Sequence, residues 1–402
     1  MVKHHMQKKD LILMIKFLPE NSRKICFVTS NRADYGQLKD LILLVKKDKN
    51  LKLQVVVSGS HLIKKLGYTL KDLIKDKLKI NFKVDLKIKN YSKKNICTYT
   101  GDAIKKFSSC FIKLNPDIIV VLGDSYEIFS AVTAALILCI PIAHLHGGEV
   151  TSGVIDESLR HSITKMSDIH FAANNKFKKR IIRMGENPNN VYNVGALTVE
   201  NLNNFNFVNK KNLEKILNVN FLKRNLLITV HPEKSRDITK KLINNLLYSL
   251  KKLNNTLLIF TSSNPDAYSN LINQKIKRFV KGSKNSIYIS NLGYKNYISC
   301  MKICDGVIGN SSSGITETPK LKVGSINIGQ RQEGRPLSRS IIQVFPDKKK
   351  ISKAIKKLYS KYFQNKIFLT NNYYKSINTK IKIIKILKNK KLEKIKTKRF
   401  ID

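Results

Sequence analysis

Short apolar runs alternate with segments of helical spacing from about residue 24 to residue 345. Ile118 to Leu122 is a continuous run of aliphatic residues, which predicts a strand buried on both faces. Ile128 to Leu138 suits a buried helix, and Pro141 separates it from a second predicted strand, Ile142 to Leu145. A strand, a helix and a strand in this order predict two neighbouring parallel strands with a right-handed crossover.

Titratable residues gather where these two predicted strands end. Asp124 follows the first strand, and His144, His146 and Glu149 lie at or just past the end of the second. A predicted helix then carries four more: Asp156, Glu157, Arg160 and His161. Open α/β sheets keep their ligand sites at the carboxyl ends of strands, so the set indicates proton-transfer chemistry. For any residue alone, a helix cap or an ordinary turn is an equal interpretation.

The first predicted strand, Lys24 to Ser30, leads into a polar turn and then a helix from Gln37 to Lys47. No Gly-x-Gly-x-x-Gly follows it, which argues against ordinary dinucleotide binding. Arg32 and Asp34 fall in the predicted turn. Arg32 could reach a phosphate or a sugar hydroxyl, or it could pair with Asp34 as a structural clamp. His61 follows the next strand, where a structural and a functional role are equally supported.

The second half of the chain repeats the alternation. His231 follows a strand from Leu226 to Val230, and a serine-rich turn that contains Ser311, Ser312 and Glu317 follows another. The turn is expected to open a helix whose backbone N–H groups suit a diphosphate. Two arginines one strand away could neutralise the same phosphates. They are Arg331 and Arg335.

This pattern predicts an α/β protein with two Rossmann-like domains that face a cleft. We expect an extension over residues 1–22, domains over 23–200 and 201–365, and a basic helical tail over 366–402. The tail is expected to be solvated and partly frayed from Lys380 to Lys398.

The charge is unusual, with 75 Lys+Arg against 28 Asp+Glu and a formal net charge of +47. The lysines are spread over the whole chain without a localised basic stripe, which favours a general lysine bias over nucleic-acid binding. The six cysteines form no Cys-x-x-Cys pair, so most are expected to be buried free thiols. No apolar stretch reaches transmembrane length, and no signal-peptide core is recognisable, so we expect a cytoplasmic protein that does not associate with a membrane. We also expect no metal site.

Seven motifs together resemble the hydrolysing UDP-N-acetylglucosamine 2-epimerases, most closely the branch that makes precursors of sialic-acid-type sugars. They are Ser30-Asn-Arg-Ala-Asp-Tyr-Gly36, Ser58-Gly-Ser-His61, Gly123-Asp-Ser-Tyr-Glu127, His144-Leu-His-Gly-Gly-Glu149, Asp156-Glu-Ser-Leu-Arg-His161, Gly309-Asn-Ser-Ser-Ser-Gly314 and Gly329-Gln-Arg-Gln-Glu-Gly334. The resemblance implies the glycosyltransferase-B fold, a homodimer, and no metal or redox cofactor.

The resemblance also implies a reaction. UDP leaves C1 of a UDP-2-acetamido sugar as the C2 proton is removed, and water then adds to the 2-acetamidoglucal with inverted configuration at C2. The family's catalytic groups correspond to Asp124, Asp156 and His231. Its substrate contacts correspond to Arg32, Asp34, His61, His144, Arg160, Ser311, Ser312, Glu317 and Arg331.

The chain departs from the family in three places. His146 stands where several relatives have glutamate, so either His146 or Glu149 is expected to supply that function. Ser125 stands where arginine is common, and Asn291-Leu-Gly-Tyr294 replaces an Asn-Pro-Arg-like turn. Both changes remove a positive charge.

The resemblance leaves two substrates open, UDP-N-acetylglucosamine and UDP-N,N'-diacetylbacillosamine, for sialic or legionaminic acid synthesis. Two other functions also remain. One is a retaining glycosyltransferase on the same fold, and the other is an inactive protein that binds UDP-sugars.

Overall fold

A computed structural model describes residues 22–64, 68–87, 92–152, 155–263, 268–375, 377–393 and 398–402. The expected extension over residues 1–22 lies outside these ranges except for residue 22. Within these ranges, no helix is both long and apolar enough to cross a membrane.

The first half of the chain forms a parallel sheet of seven strands in the order β3-β2-β1-β4-β5-β6-β7. Its strands are β1 (Arg23–Thr29), β2 (Leu51–Ser58), β3 (Phe82–Val84), β4 (Ile118–Leu122), β5 (Ile142–Leu145), β6 (Ile169–Ala172) and β7 (Val191–Asn193). Its helices are α1 (Arg32–Lys47), α2 (Leu70–Lys75), α3 (Lys93–Leu114), α4 (Tyr126–Ile137), α5 (Ile155–Met166), α6 (Asn175–Arg183) and α7 (Leu197–Asn201).

The second half forms a parallel sheet of six strands in the order β10-β9-β8-β11-β12-β13. Its strands are β8 (Arg224–Thr229), β9 (Thr256–Thr261), β10 (Ser286–Ile289), β11 (Gly306–Gly309), β12 (Gly324–Ile328) and β13 (Ile341–Val344). Its helices are α8 (Lys210–Leu217), α9 (Arg236–Leu250), α10 (Ser269–Lys281), α11 (Tyr294–Ile303), α12 (Ser313–Thr316), α13 (Thr318–Leu321), α14 (Lys348–Leu358) and α15 (Lys361–Phe368). The last helix, α16, spans Thr379–Asn389.

The predicted fold of two Rossmann-like α/β domains is confirmed. The strands β4 and β5 have the predicted bounds and pair in parallel, because their fully buried aliphatic residues need helices on both faces of the sheet. The pattern missed β3 and β13, which are short edge strands in basic or polar surroundings. An edge strand is half exposed, so it lacks the continuous apolar run of a central strand.

The expectation of a solvated, frayed tail is wrong for α16. Ile383 and Leu387 lie one helical turn apart, are fully buried, and join the core that α1 forms with the first sheet. The Arg23 guanidinium donates to the Lys390 carbonyl over 2.9 Å. The apolar stripe of this helix is narrow and lies among lysines, so it is hard to recognise in the sequence. The aliphatic stems of the lysines can extend along the protein while their charges stay in water. The chain thus returns from the second domain to the first.

Candidate active site

The ends of β4 and β5 are locked together by a neutral histidine. Gly123 has φ of 83°, in the left-handed region that favours glycine, and it turns the chain towards Asp124. The His144 Nε2 lies 2.9 Å from the Gly123 carbonyl oxygen, and Nδ1 lies 3.3 Å from the Thr164 hydroxyl. Burial lowers the pKa of His144 to about 3, so the ring is neutral and Nε2 donates. Both ring nitrogens are occupied within the protein, which indicates that His144 positions the turn.

Asp124 forms an ion pair with Arg160 of α5. The Arg160 side chain is 6% exposed, while that of Asp124 is 22% exposed. Burial, reinforced by nearby Arg335 and Arg331, lowers the pKa of Arg160 well below its ordinary value. The Arg160 Nη1 is buried and makes no hydrogen bond within the described ranges. Nη1 also lies 3.7 Å from Oε2 of Glu157, beyond hydrogen-bonding distance. Because a buried donor without a hydrogen bond is costly, this guanidinium is suited to a bound anion.

A second carboxylate and arginine connect the two domains across the cleft. Asp156, in the first turn of α5, has Oδ2 3.5 Å from Nη2 of Arg331 in the second domain. Burial raises the pKa of Asp156, although Arg331 opposes the shift. Arg331 is itself buried, with Nη1 3.5 Å from the Asn310 carbonyl oxygen. The arrangement brings Asp156 and Arg331, which belong to two of the quoted motifs, together across the cleft.

His231 is fixed between the ends of β8 and β11 by Asn310. The His231 backbone N–H donates to the Asn310 side-chain oxygen over 2.7 Å, and the Asn310 amide donates back to the His231 carbonyl over 2.9 Å. Burial, with the charge of Arg331, lowers the pKa of His231 to about 3. The imidazole is therefore neutral in this state and could accept a proton but would hold it weakly.

The serine-rich turn opens only a single helical turn, α12, followed by α13. The expected helix is thus too short to add a substantial dipole at its N-terminus. Ser311 Oγ lies 3.0 Å from Ser313 Oγ, which is 2.7 Å from the Tyr297 hydroxyl, while Ser311 and Ser312 remain partly exposed. Burial raises the pKa of Glu317 to about 7, against smaller opposing effects from a backbone N–H, His146 and Arg335.

His146 and Glu149 form a hydrogen-bonded pair just past β5. The His146 Nδ1 lies 2.7 Å from Glu149 Oε1, and Glu149 Oε2 lies 2.7 Å from Nη2 of Arg335. Burial pushes the pKa of Glu149 upwards, but Arg335 and His146 together lower it below its ordinary value. Arg335 therefore neutralises a carboxylate of the first domain, and the expectation that it joins Arg331 at the phosphates is not supported by its contacts.

The predicted turn before α1 is instead the first turn of that helix, which begins at Arg32. Asn31 caps the helix, and Asp34 completes a capping box by accepting from the Asn31 backbone N–H. Asp34 also accepts from the backbone N–H of Ser30 over 2.9 Å. The alternative of an Arg32–Asp34 clamp is wrong, because Asp34 bonds to these groups and Arg32 Nη1 is buried and unpartnered among the described residues.

His61 lies beneath this turn and is fully buried. Its Nε2 is 3.0 Å from the Thr29 hydroxyl, which also donates to Asp34, and its Nδ1 is 2.7 Å from the Thr69 hydroxyl. Both ring nitrogens are occupied, as in His144. The structure thus places Asp34 and His61 in a closed network and leaves Arg32 available.

Sequence reasoning missed two residues, Asn310 and Tyr374, and one pairing, that of Arg335, which shape the site. Asn310 joins the two loops of the second domain, Arg335 pairs with Glu149, and Tyr374 lies fully buried near Arg335. Asn310 belongs to a quoted motif and could have been found there, whereas no local pattern indicates a partner for Arg335 or Tyr374. Among the described residues, no three His, Cys, Asp or Glu side chains are grouped so that they could hold a metal.

Comparison with known proteins identifies the family of this chain. The family model described as UDP-N-acetylglucosamine 2-epimerase matches residues 44–388. The chain belongs to this family. The match spans both domains and every site residue named above from His61 to Tyr374.

Individual relatives agree with this assignment to the 2-epimerase family. The chain is 41% identical over 385 residues to the GDP/UDP-N,N'-diacetylbacillosamine 2-epimerase (hydrolyzing) of Campylobacter jejuni, covering 95% of this chain and 100% of the relative. It is 36% identical over 369 residues to the polysialic acid biosynthesis protein P7 of Escherichia coli, covering 91% and 94%. The crystal structure of UDP-GlcNAc 2-epimerase from Neisseria meningitidis bound to UDP-GlcNAc superposes with a TM-score of 0.76 at 18% identity, covering 90% and 99%. At that identity the superposition supports the shared fold.

Proposed function

We propose that the chain is a hydrolysing 2-epimerase that converts a UDP-2-acetamido sugar and water into UDP and the free manno-configured sugar. Elimination breaks the C1–O bond, transfers the C2 proton to a base, and releases UDP. Hydration then adds water oxygen to C1 and a proton to C2. Inversion at C2 requires removal of the proton from one face and its return to the other, so two acid–base groups are needed.

The observation that carries this proposal is the distribution of such groups around the cleft. Asp124 and Asp156 each lie against an arginine, while His146 with Glu149 forms a separate pair past the neighbouring strand. These positions suit one group on each face of the sugar. His231, held neutral by burial beside Arg331, is suited to transfer a proton near the departing phosphate.

The nucleotide is proposed to contact the second domain. Ser311, Ser312 and Glu317 correspond to the family's nucleotide contacts, and the two serines are partly exposed on the turn after β11. Arg160 Nη1 makes no hydrogen bond among the described residues, and it and the guanidinium of Arg331 are suited to the charge that develops on the leaving diphosphate. Arg32, with its own unpartnered nitrogen, is a third candidate for this anionic group. Asp34, His61 and His144 are proposed to hold the loops rather than the substrate.

The proposed substrate is UDP-N,N'-diacetylbacillosamine in preference to UDP-N-acetylglucosamine. Two features support this choice. The Campylobacter relative, at 41% identity over almost the whole chain, is named for the bacillosamine nucleotide. Ser125 hydrogen-bonds Ser30 over 3.1 Å and caps α4, and it is a small uncharged side chain where the family's arginine would stand. An additional acetamido group requires space more than it requires a charge.

We also propose a cytoplasmic homodimer. Exposed apolar side chains on the neighbouring helices α3 and α4 offer an interface: Ile112, Leu136 and Ile137. Light scattering after gel filtration tests this directly, because a monomer at micromolar concentration contradicts the dimer.

The reaction is tested by incubating the purified chain with each UDP-sugar and identifying both products by NMR. The proposal expects UDP and a free manno-configured sugar, with a higher kcat/KM for the bacillosamine nucleotide. Release of a free sugar that keeps the gluco configuration, or transfer that requires an added acceptor, would indicate a glycosidic hydrolase or a transferase. Binding of UDP without turnover of either nucleotide would indicate a binding protein.

A further inference from the structure

A row of three buried charged or polar side chains crosses from the first domain to the second. His146 bonds to Glu149, and Glu149 pairs with Arg335, which belongs to the loop after β12. The exposed side-chain fractions are 13% for His146, 5% for Glu149 and 6% for Arg335. The row therefore exists only while the two domains are in contact at this point.

The imidazole of His146 has one occupied nitrogen and one unoccupied nitrogen. A carboxylate can only accept, so Nδ1 carries the proton that lies between His146 and Glu149. Nε2 is buried and bonds to no residue in the described ranges. His146 also has φ of 67°, a conformation that side chains other than glycine rarely adopt, while its backbone N–H donates to the Phe171 carbonyl over 3.1 Å. Backbone strain of this kind is common where a functional side chain must be aimed.

Arg335 bonds to the first domain, and it also lies close to Tyr374 and Glu317. Besides the ion pair to Glu149, its Nε donates to the Val150 carbonyl over 2.9 Å. The preceding Gly334 has φ of 84° and packs against Val150, whose side chain would lie 3.3 Å from an added Cβ. The loop is thus shaped to bring the guanidinium across the domain interface.

Other ionisable groups surround the row from several neighbouring elements. His144 comes from β5, Glu317 follows α12, and Arg180 lies on α6. Tyr374, from the segment before α16, is fully buried near Arg335, Glu149 and Glu317. Among the described residues, Glu149 forms its arginine ion pair with Arg335. The acidic groups of Glu317 and Tyr374 also lie near this guanidinium.

We infer that Arg335 is a positioning residue whose ion pair with Glu149 fixes the His146 imidazole for proton transfer, so that closing the two domains completes the acid–base group. The inference rests on the proposed function. With Arg335 in place, Glu149 stays ionised and holds the Nδ1–H tautomer, which leaves the Nε2 lone pair for the substrate. Without Arg335, Glu149 is a buried carboxylate that can protonate or turn away, and the imidazole loses its orientation.

Domain closure then protects the reaction from water and retains the intermediate. A proton removed from C2 while the cleft is open would be exposed to water, and the unsaturated intermediate could escape. Coupling the base to an interdomain ion pair restricts proton transfer to the closed state. In the hydration step a second acid–base group delivers a proton to the opposite face of C2, and His146 passes the abstracted proton to solvent, so the overall proton balance is unchanged.

The kinetic test compares Arg335→Met with Arg339→Met, a control at an exposed arginine in the same loop. The inference expects Arg335→Met to lower kcat by about 100-fold, because a misplaced catalytic group loses near-attack geometry. The KM and the UDP dissociation constant should change by less than about threefold, since substrate binding is retained. Arg335→Lys keeps the charge and should restore kcat to within about tenfold of the wild-type value. Arg339→Met should behave as the wild type.

A double variant keeps the test valid if Arg335→Met leaves an unpaired buried carboxylate and fails to fold. Glu149→Gln with Arg335→Met removes both charges together. It should match the kcat loss of Glu149→Gln alone, because the two residues act as one unit. A rise in KM and UDP dissociation constant with unchanged kcat would overturn the inference and make Arg335 a phosphate ligand. Equal kcat in Arg335→Met and Arg339→Met would also overturn it.

A measurement that does not depend on turnover separates this inference from the proposed reaction. Nitrogen-15 NMR of histidine-labelled protein reports which ring nitrogen of His146 carries the proton. The wild-type chain should show His146 as the Nδ1–H tautomer, and Arg335→Met should show a mixture of tautomers. An unchanged tautomer in Arg335→Met contradicts the inference even if the enzyme is active. The expected change supports it even if the substrate has been assigned wrongly.

Discussion

Two clusters of polar residues follow the strands of the first domain, and they differ in how completely their hydrogen bonds are satisfied. The strand-turn cluster after β1 and β2 consists of Thr29, Ser30, Asp34, His61 and Thr69, and its ring nitrogens and carboxylate oxygens all have partners. The cleft cluster consists of Asp124, His146, Asp156, Arg160 and Arg331. Two of its buried nitrogens, Arg160 Nη1 and His146 Nε2, make no hydrogen bond among the described residues, and Arg160 Nη1 has only an ion-pair contact with Glu157 at 3.7 Å.

This difference indicates which residues stabilise the fold and which bind substrate. A buried polar group that is fully bonded gains nothing further from a ligand, whereas an unbonded one carries a desolvation cost that a ligand can relieve. The strand-turn cluster is therefore expected to affect stability when changed, and the cleft cluster is expected to affect turnover. The motif resemblance alone could not separate the two roles.

The largest expected effect is on turnover in Asp124→Asn. The amide keeps the shape but removes the charge that faces Arg160, so kcat should fall by about 10²- to 10⁴-fold, the usual contribution of an acid–base group. Steady-state kinetics with a UDP-sugar and calorimetry with UDP measure the two quantities. UDP binding should persist. A near-normal kcat would show that Asp124 has a structural role, like the residues of the strand-turn cluster.

The next effect is on stability in Asp34→Ala. Loss of the carboxylate leaves the Ser30 and Asn31 backbone N–H groups without their acceptor, so the free energy of unfolding should fall by about 1–3 kcal/mol. Denaturant unfolding measures this change. The matched control is Asp40→Ala on the same helix, since Asp40 is 45% exposed and its surface pair with Lys380 is worth less than about 1 kcal/mol. A large loss of kcat in folded Asp34→Ala protein would move Asp34 into the substrate site.

A smaller effect is expected in Arg32→Met, which tests the one unpartnered group next to the strand-turn cluster. We expect KM for the UDP-sugar to rise about tenfold, which corresponds to one charge-assisted hydrogen bond. Because Arg32 Nη1 has no bond within the described ranges, the free energy of unfolding should not decrease. Lys47→Met, at an exposed position near the end of α1, is the control. A loss of stability with unchanged KM would show that Arg32 is structural.

The smallest effect is the pH dependence of stability that His144 contributes. Its folded-state pKa is about 3, below the ordinary value of 6.5, because burial disfavours the charged ring. The unfolded chain therefore binds the extra proton first, and stability is lost as pH falls from about 6.5 towards 3. His144→Gln should reduce the slope of unfolding free energy by about 1.4 kcal/mol per pH unit between pH 6.5 and 5. Equal slopes for the two proteins would indicate that His144 is charged in the fold.

Much of the fold followed from local pattern. The apolar runs of β4 and β5 predicted their bounds, because strands buried on both faces leave few polar positions, and His144 is the one polar residue of the two strands. The start of α1 could not be predicted from the local pattern, since Asn31 and Asp34 form a capping box in a stretch that also resembles a turn. The packing of α16 was missed because its two buried residues, Ile383 and Leu387, lie among lysines.

The candidate site was predictable as a set of residues but not as a set of partners. Strand order brings Asp124, His144 and His146 to one edge of the sheet, and parallel pairing makes this a local inference. The pairing of Glu149 with Arg335 joins residues 186 positions apart, and no periodicity encodes such a contact. The same holds for the occupied nitrogens of His61 and His144, which depend on the position of threonines on other segments.

The cleft cluster is proposed to remove a proton from C2 and to return one to the opposite face. The most direct test runs the wild-type reaction with a UDP-2-acetamido sugar in deuterated water and examines the free sugar by NMR. We expect a manno-configured product with deuterium at C2, because the returned proton comes from groups that exchange with solvent. A product with hydrogen at C2, or with the original configuration, would contradict it.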